Sequence, residues 1–156
     1  MKNLFLILSF AAFVTSGCLK SDTNCGASTA VAPAAEGAAV QAYLTANSIN
    51  AIKHSSNIYY EIISAGTGTA SPTICSNVMI NYSGKLTNGT VFDSNNGSIF
   101  QLSGLIEGWK IGLPLIKKGG QIRLYIPPSL GYGPSANGPI PANSILIFDI
   151  TLVDFQ

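Results

Sequence analysis

Apolar and polar residues alternate in four short stretches that begin at residue 58 and end at residue 153. A period of two is typical of strands that keep one face against a core and the other face in water. Asn88 and Gly89 tolerate positive φ, so they predict a tight hairpin turn between Leu86 and Val91. An antiparallel sheet is therefore expected, with strands over Ile58–Ser64, Val78–Tyr82, Gln121–Ile126 and Ile145–Val153.

Val40, Tyr43 and Leu44 repeat at helical spacing within Glu36–Asn47. This spacing predicts a short amphipathic helix whose apolar face packs against the rest of the domain. The residues before this helix, 18–35, are mostly small and polar and show no apolar periodicity. We therefore expect a flexible tether there.

A second helix is predicted from Trp109 to Lys117, and Gly119 and Gly120 provide its stop. Pro114 lies inside this stretch and has no backbone N–H, so the helix is expected to be short or distorted at that point. One central helix beside several antiparallel strands indicates an α+β domain in which the sheet wraps over the helix. The helix over 36–47 is then an addition on the N-terminal side.

Size and composition exclude several classes of function. The 156 residues are enough for one domain with a sizeable core. Charged residues are only 10% of the chain, well below the usual quarter, and the longest run of like charge is Lys117-Lys118. Because no basic patch is present to neutralise phosphates, nucleic acid is not expected as a partner. His54 is the single histidine and has no cysteine or carboxylate at ligand spacing, so no metal site or catalytic triad is predicted.

The first residues have the pattern of a bacterial targeting segment. Lys2 is the positive start, and Leu4–Val14 form an apolar run too short to span a membrane. Thr15–Cys18 resemble the lipobox, in which signal peptidase cuts before a cysteine that carries a diacylglycerol. Residues 1–17 are thus predicted to be a lipoprotein signal peptide and Cys18 the lipidated residue. The first lipobox position departs from the preferred leucine, so ordinary secretion and a retained anchor stay open.

The sequence predicts four parts: a signal peptide over 1–17, a flexible tether over 18–35, a helix and connector over 36–57, and the main domain over 58–156. A disulfide between two further cysteines could join two of these parts. Cys25 lies in the tether and Cys75 in the main domain, in a compartment where disulfides persist. A bridge between them would close a loop of about 50 residues and stabilise the fold by roughly 3 to 4 kcal/mol. Two free thiols are the alternative.

Five sequence motifs between residues 78 and 155 are informative because of their order and separation. They contain Tyr82 (78–86), Phe92-Asp93 (89–94), Trp109 (105–109), Tyr132 between two glycines (126–133) and Phe148 (140–150). In order and separation these motifs resemble the FKBP-type peptidyl-prolyl isomerases, across about half of the chain. The resemblance implies an FKBP-like fold, a strongly twisted antiparallel sheet around one short helix. It also implies an enzyme that accelerates rotation about X-Pro bonds and uses no cofactor.

Such a reaction needs an unusual site, because amide resonance opposes the rotation by about 18–20 kcal/mol and no group is transferred. A dry, aromatic cleft penalises the planar amide, which is the more polar form, relative to the twisted one. By resemblance the catalytic residues are Tyr82, Phe92, Asp93, Tyr132 and Phe148. The residues implied to bind substrate are Phe100, Leu105, Ile106, Trp109 and Ile140. Trp109 is the expected floor under the proline ring, Ile106 binds a substrate carbonyl through its backbone N–H, and Ile140 belongs to a loop over the cleft.

The resemblance also implies partners. These are proline-containing polypeptide clients and immunosuppressive macrolides. Ser98 stands where some family members carry an aromatic residue. One wall of the pocket is therefore expected to be thinner, which weakens the case for macrolides. A monomer is expected, lipid-anchored to a membrane of the bacterial envelope and facing the periplasm or exterior. Two other classes stay open: an anchored module that binds proline peptides without significant catalysis, and a purely structural envelope lipoprotein.

Overall fold

A computed structural model describes residues 25–156. The predicted signal peptide and Cys18 lie outside these residues. The described elements are α1 (Ala34–Ala46), β1 (Ile52–Lys53), β2 (Tyr59–Ser64), β3 (Asn77–Leu86), β4 (Val91–Gln101), α2 (Glu107–Gly112), β5 (Gln121–Ile126) and β6 (Leu146–Phe155). Short 3₁₀ turns occupy Leu102–Gly104, Leu113–Leu115 and Pro128–Leu130. No helix in the described range is long and apolar enough to cross a bilayer.

The strands form one antiparallel sheet in the order β1-β2-β5-β6-β3-β4. The predicted hairpin joins β3 to β4: Gly89 has φ +85°, its N–H donates to the carbonyl of Leu86, and the N–H of Thr90 donates to Oδ1 of Asn88. The antiparallel α+β architecture expected from the sequence is confirmed.

The inner face of the sheet carries the core. Val78 and Ile80 of β3 are fully buried, as are the alternate residues of β5 and the inward residues of β6. They pack around α2 and the turn after it. The core residues contributed by these elements are Val78, Ile80, Trp109, Ile111, Leu113, Ile122, Leu124, Ile126, Leu146, Phe148, Ile150 and Leu152.

Two glycines let α2 lie unusually close to β5. A Cβ atom built on Gly108 would be 2.6 Å from the side chain of Ile126, and one on Gly112 would be 2.5 Å from that of Leu124. Real Cβ atoms do not approach other atoms this closely, so any larger residue would force the side chains of Ile126 and Leu124, or the helix itself, to shift. Helix α2 is also shorter than predicted, because Pro114 falls in a 3₁₀ turn directly after Gly112.

The outer face of the sheet is covered at one end by α1. Val40 and Leu44 of this helix pack on Tyr59, Tyr125 and Ile147 in a second buried cluster. Alternation in β5 places Tyr125 on the solvent side, yet its side chain is buried because α1 lies over it. Its hydroxyl donates to Glu61 Oε1 at 2.6 Å, which satisfies the buried phenol.

Strand β4 is the main element that the alternation does not predict. Its residues 94–98 are Ser-Asn-Asn-Gly-Ser, a composition typical of a loop. The segment is extended because it pairs with β3 along its length, with a bulge where Ile80 opposes Ser98 and Tyr82 opposes Asn95. Gly97, inside the bulge, has φ +71° and its N–H donates to Asn81 Oδ1.

Residues 25–33, which we name the strap, lie along the domain. A disulfide joins Cys25 to Cys75, with a Cα–Cα distance of 5.2 Å. Ala32 is 3% exposed, and its N–H donates to the carbonyl of Ser56 at 3.0 Å. A flexible tether is predicted through residue 35, whereas this described part of it is held by the disulfide at Cys25 and by the burial of Ala32 in the main core.

Replacing Gly112 by alanine should lower the free energy of unfolding by about 1–3 kcal/mol, because the new methyl group overlaps Leu124. Urea denaturation measures the change. Gly104→Ala is the matched control: a Cβ there meets no atom within 4 Å, and the free energy of unfolding should change by no more than about 0.5 kcal/mol. An equal loss in both variants would contradict the close approach of α2 to β5.

Candidate active site

A cavity of about 240 Å³ opens between α2, the inner face of the sheet and the loop that carries Tyr132. It is lined by Tyr82, Asp93, Phe100, Gly104, Leu105, Ile106, Trp109, Tyr132 and Phe148. A larger depression of about 440 Å³ lies beside Arg123 and Asp149 on the outer face. Those two side chains form an ion pair with each other. Tyr82 is the one aromatic residue among the described residues that line the depression, whereas five aromatic residues line the smaller cavity.

Trp109 forms the floor of the cavity and is 4% exposed. Its ring meets Tyr82 edge-on, with centroids 5.2 Å apart and an interplanar angle of 77°, and meets Phe148 at 5.0 Å and 86°. Phe92 packs edge-on against Phe148 from behind, at 5.5 Å and 87°. Perpendicular packing of this kind fixes each ring against its neighbours. The floor and the back wall are therefore a preformed aromatic block.

Gly84 makes this block possible. It lies on β3 opposite Asp93 of β4 and Phe148 of β6. A Cβ atom on Gly84 would be 2.6 Å from both Phe92 and Phe148, so only glycine leaves room for the two rings. Sequence reasoning missed this position, because the need for glycine arises from two side chains that are distant in the chain.

The polar groups of the cavity are few and close together. Tyr82 donates from its hydroxyl to Oδ2 of Asp93 at 2.7 Å. Burial, and then this hydrogen bond, raise the pKa of Tyr82 to about 12. Burial and the charge of Asp93 also raise the pKa of Tyr132, so both phenols stay protonated at neutral pH. Tyr132 is 39% exposed, and its hydroxyl makes no hydrogen bond to any residue from 25 to 156.

Two N–H groups at the cavity also lack acceptors among the described residues. Ile106 precedes α2 and its carbonyl accepts from the N–H of Trp109, but its own N–H donates to nothing within the described range. The indole Nε1 of Trp109 is buried without a partner there. A ligand that brings carbonyl oxygens into the cavity can therefore accept hydrogen bonds from Ile106 and Tyr132. Within residues 25–156, no three His, Cys, Asp or Glu side chains group closely enough to hold a metal ion.

The structure brings most of the residues named from the sequence to one place. Eight of them line the cavity: Tyr82, Asp93, Phe100, Leu105, Ile106, Trp109, Tyr132 and Phe148. Phe92 supports the back wall without lining the cavity. Ile140 does not line the cavity; it is 5% exposed within the main core that also contains Trp109 and Phe148, and its N–H donates to the carbonyl of Asn137. Gly104 also lines the cavity, and a residue without a side chain carries no sequence signal for that.

A family model described as FKBP-type peptidyl-prolyl cis-trans isomerase matches residues 68–153, more than half of the chain. The chain is 46% identical over 108 residues to the FKBP-type peptidyl-prolyl cis-trans isomerase FkpA of Buchnera aphidicola, a match that covers 67% of this chain and 43% of the relative. It is 40% identical over 123 residues to the peptidyl-prolyl cis-trans isomerase Mip of Coxiella burnetii, covering 74% of this chain and 53% of the relative. The chain thus spans about half the length of these relatives.

A solved structure shows the same arrangement of elements. The crystal structure of FkpA from Escherichia coli superposes with a TM-score of 0.69 at 37% sequence identity. The superposition covers 79% of this chain and 60% of that one. The likeness therefore includes the sheet and the helix that form the cavity.

The hydroxyl of Tyr82 should titrate with a pKa of about 12, and Asp93→Ala should lower that pKa toward the ordinary value while burial keeps part of the shift. Titration of ¹³Cζ-labelled tyrosine by NMR measures both. Because the unfolded state loses this proton first, near pH 10, the contribution of Tyr82 to stability is complete below pH 10 and is lost as pH rises toward 12.

Asp154→Ala removes a carboxylate that bonds Lys118 on the surface, and it is the control for this titration. The pKa of Tyr82 should not change in that variant. A pKa that is the same in Asp93→Ala as in the unaltered protein would show that Asp93 does not act on the phenol.

Proposed function

Because the chain belongs to the FKBP-type peptidyl-prolyl cis-trans isomerase family, we propose that it is a monomeric enzyme that accelerates rotation about X-Pro bonds in proteins folding outside the cytoplasm. The single observation that supports this activity best is the cavity itself: an aromatic floor and wall beside two donors, Ile106 N–H and Tyr132 Oη, that have no acceptor among residues 25–156. Proline-containing polypeptides are the proposed clients.

The chemistry follows from the resonance of the amide. Rotation requires the imide nitrogen to lose conjugation with its carbonyl, which costs about 18–20 kcal/mol in water. The planar amide separates charge more than the twisted one, so moving it into an apolar cavity raises the ground state relative to the transition state. The rings of Tyr82, Trp109 and Phe148 supply that environment. No group is transferred, so the enzyme needs no nucleophile.

Each polar group has a separate task in this scheme. The proline ring lies on the indole of Trp109, and the N–H of Ile106 binds a substrate carbonyl outside the rotating bond. Tyr132 donates to the carbonyl of the rotating bond or its neighbour, which its raised pKa permits across the neutral range. Asp93 accepts from Tyr82 and so orients that ring at the edge of the cavity.

Macrolides of the immunosuppressive class are proposed as further ligands of this cavity. Their affinity is expected to be reduced, since Ser98 leaves one wall without an aromatic ring and does not line the cavity. Competition between such a macrolide and a proline peptide, followed by isomerisation rate, measures that affinity.

Tyr132→Phe should slow the cis-to-trans isomerisation of a short X-Pro-Phe peptide by about fivefold to 150-fold, the effect of losing one hydrogen bond of about 1–3 kcal/mol. Asp93→Ala should also slow it, because Tyr82 loses its acceptor. A protease-coupled assay measures the rate. Tyr43→Phe removes a hydroxyl on α1 that makes no hydrogen bond in the described structure, and its rate should equal that of the unaltered protein.

Two outcomes would contradict the proposal in different ways. If the folded protein binds the peptide without accelerating rotation, it is an anchored binding module. If it neither binds the peptide nor accelerates its rotation, the cavity has no role with proline peptides. That result would favour the third hypothesis, a purely structural envelope lipoprotein. Equal slowing in Tyr43→Phe and Tyr132→Phe would refute the assignment of Tyr132.

We further propose that the protein is lipid-anchored to a membrane of the bacterial envelope and faces the periplasm or exterior. The support is the sequence before the described residues: Lys2, the apolar run of 4–14, and Ser-Gly-Cys ending at Cys18. The disulfide between Cys25 and Cys75 agrees with an oxidising compartment. Acyl chains contribute about 0.8 kcal/mol per buried CH₂, so a multiply acylated cysteine holds a protein on a membrane durably.

Mass spectrometry of the protein extracted from bacterial membranes should show a chain that begins at Cys18 and carries a diacylglycerol. Cys18→Ser should move the protein from the membrane fraction to the soluble fraction, whereas Ser16→Ala, which keeps a small residue before the cysteine, should leave it on the membrane. An unmodified Cys18, or a membrane-bound Cys18→Ser variant, would contradict lipidation.

A further inference from the structure

The strap touches the helix that carries the cavity floor. Ser28 donates from its hydroxyl to Oε2 of Glu107 at 2.7 Å, across 79 positions of sequence. The other carboxylate oxygen of Glu107 accepts from Nζ of Lys110 at 2.9 Å. Hydrogen bonds from Lys110 and Ser28 lower the pKa of Glu107, so the carboxylate stays ionised and remains a strong acceptor.

Glu107 is the first residue of α2 and lies between two residues of the cavity. Ile106 precedes it directly, and Trp109 follows two positions later. The peptide unit that joins Ile106 to Glu107 also provides the carbonyl that accepts from the N–H of Trp109 at 3.0 Å. The N–H of Ile106 belongs to the preceding peptide unit, which Ile106 itself joins to that of Glu107, so a displacement of Glu107 at the start of α2 would move Ile106 and Trp109 together.

The strap is fastened on both sides of Ser28. On one side the disulfide joins Cys25 to Cys75. On the other side Ala32 is buried in the main core, and its carbonyl accepts from Nδ2 of Asn57 at 2.8 Å. Ser28 is thus presented to Glu107 by a segment with little freedom to move away.

We propose that Ser28 and Glu107 are positioning residues for the isomerase, and that the Cys25–Cys75 disulfide keeps the strap where Ser28 can act. The inference rests on the proposed function of the cavity and adds to it a contribution from a segment before residue 68, where the family match begins. Through Glu107 the strap sets the direction of the Ile106 N–H, which binds a substrate carbonyl.

The expected kinetic signature distinguishes positioning from catalysis. The Ile106 N–H holds a carbonyl outside the rotating bond, so it binds the planar and the twisted substrate equally. Losing such uniform binding raises KM and leaves kcat nearly unchanged. Loss of Tyr132 or Asp93, which act on the rotating bond or its surroundings, lowers kcat instead.

The test compares three variants of the purified protein. Ser28→Ala should raise KM for an X-Pro-Phe peptide by about threefold to tenfold with kcat nearly unchanged, since a hydrogen bond to a charged acceptor is lost. It should also shift the Ile106 amide resonance in an ¹⁵N NMR spectrum. Ser28→Thr keeps the hydroxyl and should restore both values. Thr29→Ala alters the neighbouring strap residue, whose side chain makes no hydrogen bond in the described structure, and should match the unaltered protein.

The disulfide is tested by reduction with dithiothreitol and by the double variant Cys25→Ser, Cys75→Ser. Both should raise KM and shift the Ile106 resonance in the same direction as Ser28→Ala. Spectra are recorded where circular dichroism shows the sheet intact, so that general unfolding does not enter the comparison. Ser28→Ala with an unaltered KM and an unaltered Ile106 resonance would overturn the proposal, and so would reduction without effect on either.

Failure of the isomerase itself gives a different result. If the unaltered protein binds a proline peptide but does not accelerate rotation, the proposed function fails, while peptide affinity and the Ile106 resonance still report on the strap. In that case a weaker affinity in Ser28→Ala, restored in Ser28→Thr, supports positioning. An equal affinity in all variants overturns it.

Discussion

The contact between α2 and β5 is the constraint on which the rest of this structure depends. Gly108 and Gly112 allow the helix to rest directly on the side chains of Ile126 and Leu124. At this distance Trp109 lies below the rings of Tyr82 and Phe148 rather than outside the sheet. A helix displaced by one methyl layer would separate the indole from those rings and open the cavity to water. The floor of the site is therefore set by two residues that have no side chain.

The residues described at the site, all within 25–156, include no pair of reactive groups, and that fits the proposed reaction. Enzymes that break bonds need a nucleophile, a base or a metal, each of which must be solvated or charged at some stage. An enzyme for amide rotation needs the opposite: an apolar cavity that solvates the amide poorly. A few hydrogen-bond donors in it must point at carbonyl oxygens of the substrate. Asp93, the one carboxylate among the described residues that line the cavity, accepts a hydrogen bond from the hydroxyl of Tyr82. The indole N–H of Trp109 is buried and has no acceptor among residues 25–156.

Sequence reasoning succeeded where one physical signal dominated. Strand β5 alternates cleanly and was predicted with its observed bounds, and Asn88-Gly89 identified the hairpin because few residues accept positive φ. Eight cavity residues could be named because the order of motifs carries information that no single residue does. Strand β4 could not be predicted, since its polar residues are held extended only by their partner strand. Gly84 was missed for a related reason: glycine is needed there only because Phe92 and Phe148 pack beside it, and that packing is a tertiary contact.

The place of β6 in the sheet has a consequence for how the protein is made. This strand comes later in the chain than β5 and β3, yet it lies between them and joins both. Without β6, β3 and β4 form one hairpin, and β2 and β5 form a separate pair. No strand then joins these two halves of the sheet, so the inner face of each half stays uncovered. During synthesis from the N-terminus, neither half can close over α2 before β6 is added. The domain must therefore stay open until β6 has been made, so its closure follows the synthesis of that strand rather than accompanies it.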